Sequence, residues 1–299
     1  DIYLLAWTTT PWTLPSNTAL AVNKKVDYVL VKTINQYTKK PIAVILAEKL
    51  LSSVFSKPYV PLGSEIDSSK EYSFEIVKTF KGEELVGFSY EQLMPLARPF
   101  ERPEAAFKII HGDFVSTEDG TGIVHIAPTF GADDAKVAAD SGIPSMLVKN
   151  NSGELVPLVN LKGEFVDGLG FLSGKPVKDA YHKDEDKGRK SVDVEIAISL
   201  KEENKAFKVE KYEHSYPHCW RTDKPVLYYP LDSWFIKVSS FKNSMVKLNK
   251  NINWKPESTG TGRFGNWLEN ANDWNLSRSR FWGIPIPIWR TEDGKDVLC

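Results

Sequence analysis

Short β-type runs separated by turn residues fill the first 210 positions or so, and this pattern constrains the fold more than any other feature. Residues 28–31 and 42–45 are rich in β-branched side chains and are bounded by Asn, Asp, Lys and Pro, so we predict strands there. Further strands are predicted over 74–80, 106–110 and 121–126, and short helices over 47–55 and 133–141, the second closed by Gly142. Many short strands with a few helices predict an α+β fold.

Two other segments bear on the organisation of the chain. Residues 191–200 are ambiguous, because strictly alternating apolar side chains favour a strand while the polar run that follows favours a helix end. From about residue 211 the sequence becomes rich in aromatic residues, Pro and Arg, and many of the nine tryptophans lie in the last third. We therefore predict one domain over 1–210 and a connecting segment over 211–299.

Composition excludes several classes of protein. A net charge of −1 argues against a protein that binds nucleic acid through an overall positive charge. A local contact with nucleic acid remains open. No apolar stretch reaches the length of about 18 residues that a membrane span needs. Two cysteines cannot form a disulfide framework, which indicates a reducing compartment and a cytoplasmic protein. The first and last residues read as cut ends, so a fragment of a larger protein is expected.

A threonine-rich segment is the first candidate for chemistry. Residues 7–17 read Trp-Thr-Thr-Thr-Pro-Trp-Thr-Leu-Pro-Ser-Asn. Pro11 pushes Thr10 out of helical geometry, so Thr8, Thr9 and Thr10 are expected where a strand gives way to a loop. Hydroxyl groups there can orient water or a polar substrate group, or they can satisfy backbone groups of a turn.

A second candidate lies at residues 120–134. A strand is predicted to deliver His125 to a loop with Pro and Gly, and Asp133 and Asp134 then open a helix. Carboxylates are favoured at a helix start and can cap it. Because adjacent side chains point in different directions, one Asp can cap while the other faces a pocket. The spacing predicts a polar site that contains His125 and one Asp.

Metal and dinucleotide sites are both disfavoured. His214, His218 and Cys219 lie close together, but Thr222 stands where the second Cys of a zinc-binding Cys-x-x-Cys pair would be, so no metal site is predicted. Residues 260–265 match GxGxxG, but no strand precedes them and no acidic ribose partner follows. We predict a glycine-rich loop there.

Covalent hydrolase chemistry is disfavoured as well. The chain contains no G-x-S-x-G, and neither cysteine has a setting typical of a nucleophile. Any hydrolysis is therefore expected to proceed by direct attack of water.

Three segments together resemble the class I aminoacyl-tRNA synthetases for isoleucine, valine and leucine. Residues 7–17 are similar to the threonine-rich editing motif of the isoleucyl enzymes, since valyl and leucyl enzymes usually carry Arg where this chain has Thr10. Residues 120–134 are similar to the second editing motif. Residues 273–287 are similar to the stretch where such a chain re-enters the synthetic domain after the editing insertion.

The resemblance implies an editing domain with a barrel-like β core and surrounding helices, followed by a return segment toward the catalytic domain. The resemblance implies hydrolysis of valine misattached to isoleucine tRNA after transfer, and it leaves hydrolysis before transfer open. It implies the aminoacylated 3′ end of tRNA as partner, a monomer, and no cofactor for editing. Because HIGH-type and KMSKS-type motifs are absent, ATP and Mg²⁺ are expected only in a full-length enzyme.

It also implies roles for side chains of both motifs. Asp134 would hold the α-ammonium group of the misattached valine, and His125 would help to exclude the extra methylene of isoleucine. The hydroxyl groups expected to line the pocket and orient substrate or water are those of Thr8, Thr9 and Thr10. The side chains expected to hold the terminal adenosine or form the wall are those of Trp7, Thr13, Asn17 and Phe130.

Other functions stay open. The domain could edit threonine on valine tRNA or serve the leucyl system, although Thr10 and Trp12 argue against both. It could be a non-catalytic tRNA-binding or structural insertion, against which Thr8, His125 and Asp134 argue. A Cys/His metal module is the remaining alternative.

Overall fold

The structure of the protein is a computed structural model, and it describes residues 1–299 except 66, 68, 69, 151, 182–187, 279–282, 296 and 299. Phe281 and Trp282 of the predicted return segment, and Cys299, therefore lie outside the described residues. The chain divides into two compact units, Asp1–Pro230 and Leu231–Cys299. The change in composition near residue 211 falls inside the first unit.

Strands dominate the first unit. They are β1 (Ile2–Leu4), β2 (Ala19–Val22), β3 (Asp27–Ile34), β4 (Pro41–Ala47), β5 (Tyr59–Pro61), β6 (Tyr72–Lys81), β7 (Lys108–His111), β8 (Val124–Ile126), β9 (Leu147–Lys149) and β10 (Leu155–Pro157). The strands predicted over 28–31, 42–45, 74–80 and 106–110 are confirmed as β3, β4, β6 and β7. The strand predicted from residue 121 begins at Val124.

Two sheets organise these strands, besides the β9–β10 hairpin. One has the order β1-β4-β3-β6-β5, in which β3 pairs antiparallel with both β4 and β6. The other has the order β7-β2-β8, with β2 parallel to β7 and antiparallel to β8. All four residues of β2 are buried, as expected for the central strand of a sheet that is covered on both faces.

A shared core joins the two sheets. Leu20 and Val22 of β2 pack in one cluster with Tyr28 of β3 and Ile45 of β4. The hydroxyl of Tyr28 also donates a hydrogen bond of 2.6 Å to the carbonyl of Gly122, just before β8. The predicted mixture of strands and helices is confirmed. Strands β1 to β8 form two open sheets around a common core, and the described residues form no closed barrel.

Among the described residues of the first unit, three segments are α-helical: α1 (Leu51–Val54), α2 (Ala132–Asp140) and α3 (Val192–Glu202). The helices predicted over 47–55 and 133–141 are confirmed as α1, with the 3₁₀ turn before it, and α2. Gly142 follows α2 with a φ of 68°, a left-handed conformation that glycine adopts without strain.

The ambiguity over 191–200 is resolved in favour of a helix, because Ser191 caps α3 and the residues after it form the helix. The side chain of Ser191 caps the helix by accepting a hydrogen bond from the backbone N–H of Val194. Val192, Ile196 and Leu200 are buried on one face at the helical spacing of four residues, whereas Val194 is 46% exposed. Every second residue is apolar, but only every fourth one meets the core.

Helices and two pairs of short strands form the described part of the second unit. They are β11 (Phe235–Ile236), α4 (Lys242–Asn249), α5 (Ser258–Thr261), α6 (Arg263–Glu269), β12 (Trp274–Asn275), β13 (Trp289–Arg290) and β14 (Val297–Leu298). β11 pairs with β12, and β13 with β14. Within the described residues, no helix is both long and apolar enough to cross a membrane.

The glycine-rich loop predicted over 260–265 is also wrong, since α5 and α6 occupy this segment. A Cβ atom on Gly260 would lie 2.0 Å from Cδ1 of Trp254, and one on Gly265 would lie 2.5 Å from the carbonyl oxygen of Gly260. These glycines therefore serve close packing between elements, which the sequence pattern alone does not distinguish from flexibility.

Candidate active site

Strand β8 is the element that brings the two sequence motifs together. Trp7, at the start of the threonine-rich segment, forms a parallel bridge with Val124. The next residue, His125, contacts Thr13 through its ring. The amide of Ala127, just after the strand, donates a hydrogen bond to Asp134. The two motifs thus meet on nearly consecutive residues of one strand.

The threonine-rich segment turns away from β1 and enters a 3₁₀ helix over Pro11–Ser16. Thr10, the residue before it, has a φ of −129° and a ψ of 72°, so the predicted non-helical geometry is confirmed. Oγ1 of Thr8 accepts a hydrogen bond of 3.0 Å from the backbone N–H of Thr10. The same Oγ1 lies 3.4 Å from Oγ1 of Thr10, so the two hydroxyl groups are neighbours. Thr8, Thr9 and Thr10 are all half-buried.

Asp193 anchors this segment from a distant part of the chain. Its Oδ1 accepts a hydrogen bond of 2.8 Å from the backbone N–H of Trp12, in the first turn of the 3₁₀ helix. Burial raises the pKa of Asp193, which the bond from Trp12 and the charge of Lys178 oppose. Sequence reasoning missed this residue. The available signal is an acid in the first turn of a helix, in a segment whose sequence pattern is ambiguous between strand and helix.

His125 is held on both sides of its ring. Nε2 lies 3.0 Å from Oγ1 of Thr13, and Nδ1 lies 3.1 Å from Nδ2 of Asn17. Burial lowers the pKa of His125 from 6.5 to about 4, so the imidazole is neutral at pH 7. A neutral ring fixed by two hydrogen bonds can form a rigid wall of a pocket.

Three of the predicted binding residues are buried. Thr13, Asn17 and Phe130 are 6%, 5% and 8% exposed. Phe130 packs against Trp12 with a distance of 5.0 Å between ring centroids. Thr13 and Asn17 therefore hold His125, whereas Phe130 belongs to the core around Trp12.

Trp7, by contrast, is 44% exposed. Its ring packs edge-on against Tyr212, with centroids 5.3 Å apart. It also lies over Gly120, where a Cβ atom would be 3.4 Å from Cε3 of the indole. Gly120 has a φ of 75°, so both its conformation and the ring above it favour glycine. The threonine-rich segment therefore begins with an exposed aromatic ring.

Asp134 lies in the first turn of α2, and its carboxylate turns back toward β8. Oδ2 accepts a hydrogen bond of 2.8 Å from the backbone N–H of Ala127. Gly131 is the N-cap residue of the helix, so neither Asp133 nor Asp134 is. Burial raises the pKa of Asp134; the bond from Ala127 opposes this effect and the charge of Asp133 adds to it. Asp133 is exposed, which leaves Asp134 as the acid that faces the site.

A cavity of about 390 Å³ lies on another side of His125. Its lining includes His125 and Asn17, together with Leu14, Leu20 and Tyr90. The three threonines and Asp134 are not among its lining residues. The cavity is therefore lined by His125 and Asn17 but not by the threonines or the acid.

No metal centre is formed by the part of the chain that the structure describes, since no three His, Cys, Asp or Glu side chains come together there. His214 and His218 each place Nδ1 within 3.0 Å of a nearby backbone carbonyl oxygen.

Comparison with known proteins identifies a sequence family. The profile described as tRNA synthetases class I (I, L, M and V) matches residues 6–299. Isoleucine--tRNA ligase of Cytophaga hutchinsonii is 61% identical, over 100% of this chain and 28% of its own length. The Bacteroides fragilis enzyme is 55% identical, over 99% of this chain and 27% of its own length. The Clostridium tetani enzyme is 44% identical, over 98% of this chain and 24% of its own length. The chain thus spans about a quarter of the length of these relatives.

Solved structures show a more distant likeness. The crystal structure of GlLeuRS-CP1 has a TM-score of 0.44 and 15% identity, and the match covers 71% of this chain and 85% of that one. The editing domain of P. knowlesi cytosolic leucyl-tRNA synthetase has a TM-score of 0.36 and 22% identity, and the match covers 46% of this chain and 50% of that one.

Proposed function

Since the chain belongs to the class I tRNA synthetases for isoleucine, leucine, methionine and valine, we propose that it is the editing region of an isoleucine--tRNA ligase. In this proposal it hydrolyses the ester bond of valine misattached to isoleucine tRNA. The observation that carries the proposal is the convergence of the threonine-rich segment, His125 and Asp134 on strand β8.

The need for such an activity follows from the size of the amino acids. One methylene group in a hydrophobic pocket is worth about 1–3 kcal/mol, a general limit for which isoleucine and valine are the standard example. A synthetic site therefore cannot reject valine well enough by binding alone. A second, smaller site that accepts valine and excludes isoleucine removes the error after transfer.

Asp134 is assigned to the α-ammonium group of the misattached valine. Its carboxylate is partly withdrawn from water, which raises its pKa and makes an unpaired negative charge costly. A bound ammonium group compensates for that cost through a charge-assisted hydrogen bond. The hydrogen bond from Ala127 fixes one carboxylate oxygen, so the position of the ammonium group fixes the position of the ester carbonyl.

His125 is assigned to the size limit. Its ring is held by Thr13 on one side and Asn17 on the other, so it cannot turn aside for a larger side chain. Its pKa of about 4 also makes it a weak base at neutral pH. Thr13 and Asn17, which are buried, are assigned to holding His125, and Phe130 to the core around Trp12.

Hydrolysis proceeds by attack of water on the ester carbonyl carbon. A bond forms between the water oxygen and that carbon, the bond to the ribose oxygen breaks, and a water proton ends on the ribose oxygen. The hydroxyl groups of Thr8, Thr9 and Thr10 orient the water or the carbonyl group. The neighbouring free hydroxyl of the ribose assists the proton transfer. No metal or cofactor enters these steps.

The exposed ring of Trp7 is assigned to the terminal adenosine of the tRNA. Stacking of a base on an aromatic side chain is worth about 1–3 kcal/mol. A tRNA would therefore reach the site with its 3′ end on Trp7 and its amino acid between His125 and Asp134. We interpret the two sheets and their common core as the barrel-like scaffold of this site, and the chain as monomeric and cytoplasmic.

A binding experiment tests the site directly. A nonhydrolysable amide mimic of valyl-adenosine is titrated into the protein by calorimetry, alongside the isoleucyl mimic and the Asp134→Ala variant. We expect the valyl mimic to bind more tightly than the isoleucyl mimic. A charge-assisted hydrogen bond is worth about 1.5–3 kcal/mol, so Asp134→Ala should weaken binding about 10- to 100-fold. Equal affinity for the two mimics, or no effect of Asp134→Ala, would overturn the assignment.

A further inference from the structure

Tyr90, which lies outside both sequence motifs, contacts the site through a chain of hydrogen bonds. Its hydroxyl donates to Oδ1 of Asn17 at 2.5 Å. Nδ2 of Asn17 lies 3.1 Å from Nδ1 of His125, and Nε2 of His125 lies 3.0 Å from Oγ1 of Thr13. The hydroxyl of Thr13 donates to the backbone carbonyl of Thr10 at 2.8 Å. The chain thus runs from Tyr90 to the threonine-rich segment.

The partners of Asn17 fix which end of its amide faces His125. Nδ2 donates to the carbonyl of Ala19 at 2.8 Å and lies 3.3 Å from the carbonyl of Ile126. Carbonyl oxygens only accept hydrogen bonds, so the NH₂ group belongs on that side. The hydroxyl of Tyr90 meets the amide oxygen on the other side. A flipped amide would place NH₂ against the hydroxyl and oxygen against two carbonyls.

The tautomer of His125 follows from this orientation. The two hydrogens of the NH₂ group serve its two shorter contacts, the carbonyl of Ala19 at 2.8 Å and Nδ1 of His125 at 3.1 Å. An NH₂ group cannot accept, so Nδ1 is the acceptor and the neutral ring carries its hydrogen on Nε2. Oγ1 of Thr13 already donates to Thr10, so it is free to accept from Nε2. Every bond in the chain then points in one direction, with a donor facing an acceptor at each step.

We propose that Tyr90 is a positioning residue that, through Asn17, holds His125 as the Nε2–H tautomer in one fixed orientation and so maintains the size limit of the site. The size limit rests on the function proposed above, whereas the tautomer does not. Tyr90 is itself fixed, since its backbone N–H bonds the carbonyl of Phe107 and its ring packs edge-on against Phe107 at 6.1 Å. Burial raises the pKa of Tyr90, so its phenol remains a donor at neutral pH.

The test substitutes Tyr90→Phe, which keeps the ring and removes only the hydroxyl. The matched control is Tyr59→Phe, a buried tyrosine whose hydroxyl donates to the backbone carbonyl of Ile34 in a different core cluster. Ring ¹⁵N shifts of His125 are read by NMR in protein labelled at histidine, with the signal assigned by its loss in His125→Gln. Hydrolysis of valine-charged and isoleucine-charged tRNA is measured on the same samples.

We expect a single Nε2–H signal in the wild-type protein and in Tyr59→Phe. In Tyr90→Phe we expect a mixture of tautomers and a fall of about 3- to 10-fold in the preference for valine, since one weakened wall contact is worth about 1 kcal/mol. A wild-type Nδ1–H signal would overturn the proposal, even if Tyr90→Phe fails to fold. An unchanged tautomer and preference in a folded Tyr90→Phe would overturn it as well. If the wild-type protein hydrolyses neither tRNA, the proposed function fails while the ¹⁵N shifts still decide the role of Tyr90.

Discussion

Oδ2 of Asp134 accepts a hydrogen bond of 2.8 Å from the backbone N–H of Ala127, which ties the first turn of α2 to the end of β8. The bond holds one carboxylate oxygen and thereby aims the other. Ala127 follows His125 by only two positions, so the acid is tied to the backbone close to the residue that carries the imidazole. A ligand held between the two side chains would meet a charge on one side and a neutral wall on the other.

The stability of the fold is expected to rise when the charge of Asp134 is removed. Burial raises the pKa of this acid, so the folded state binds its proton more tightly than the unfolded state does. Stability is therefore lost as pH rises from the ordinary value of 3.8 through the raised pKa, so the cost is larger at pH 7 than at pH 4.5. Asp134→Asn should increase the free energy of unfolding in urea at pH 7, and by less at pH 4.5. An equal gain at both pH values would contradict this reading.

Gly131 is expected to control the position of Asp134. A Cβ atom at this residue would lie 2.9 Å from Cγ of Asp134, so Gly131→Ala must displace the carboxylate. We expect about tenfold weaker binding of the valyl-adenosine mimic, equivalent to about 1.4 kcal/mol, in a protein that still folds. Gly283→Ala is the matched control, because a Cβ atom there meets nothing within 4 Å. Unchanged binding in Gly131→Ala would show that the mimic does not depend on the observed position of the Asp134 carboxylate.

His125 should make stability depend on pH. Its pKa is lowered from 6.5 to about 4, so the unfolded state takes up a proton between these values while the folded state does not. Stability is thus lost as pH falls through this interval. Between pH 7 and pH 5 the wild-type protein should lose about 2 kcal/mol more than His125→Gln, in which other titrating groups are unchanged. Denaturant titrations at the two pH values check this, and parallel losses in both proteins would contradict it.

Asp193 is expected to stabilise the threonine-rich segment. Asp193→Ala removes the acceptor for the backbone N–H of Trp12 and should cost about 1–3 kcal/mol. Amide hydrogen exchange at Trp12 should also become faster. Asp193→Asn keeps an acceptor oxygen and should cost less, which makes it the matched control. If Asp193→Ala leaves the exchange rate at Trp12 unchanged, the anchor is not needed to hold this segment.

Local signals made much of the site predictable. One signal is Pro11 beside a run of threonines, and the other is a strand followed by a turn and two acids. Each signal indicates a polar site and is contained in a segment of about fifteen residues. The meeting of the two motifs depends instead on the pairing of β2 with β8, in which Leu20 lies opposite His125. No local pattern encodes that register.

The supporting residues were not predictable for a related reason. Asp193 and Trp12 are 181 positions apart in sequence, and Tyr90 and Asn17 are 73 apart. Asp193 also lay in a segment whose alternation of apolar residues favoured a strand. Only the burial of Ile196 and the exposure of Val194 reveal the helix that carries Asp193 to the site. Contacts of this kind arise from packing, which one sequence does not display.

The most direct measurement is the rate at which the protein deacylates isoleucine tRNA that carries valine, compared with the same tRNA carrying isoleucine. We predict faster loss of valine than of isoleucine, and loss of this activity in Asp134→Ala while Gly283→Ala retains it. Equal rates for the two amino acids, no hydrolysis of either, or full activity in Asp134→Ala would contradict an editing site at the end of β8.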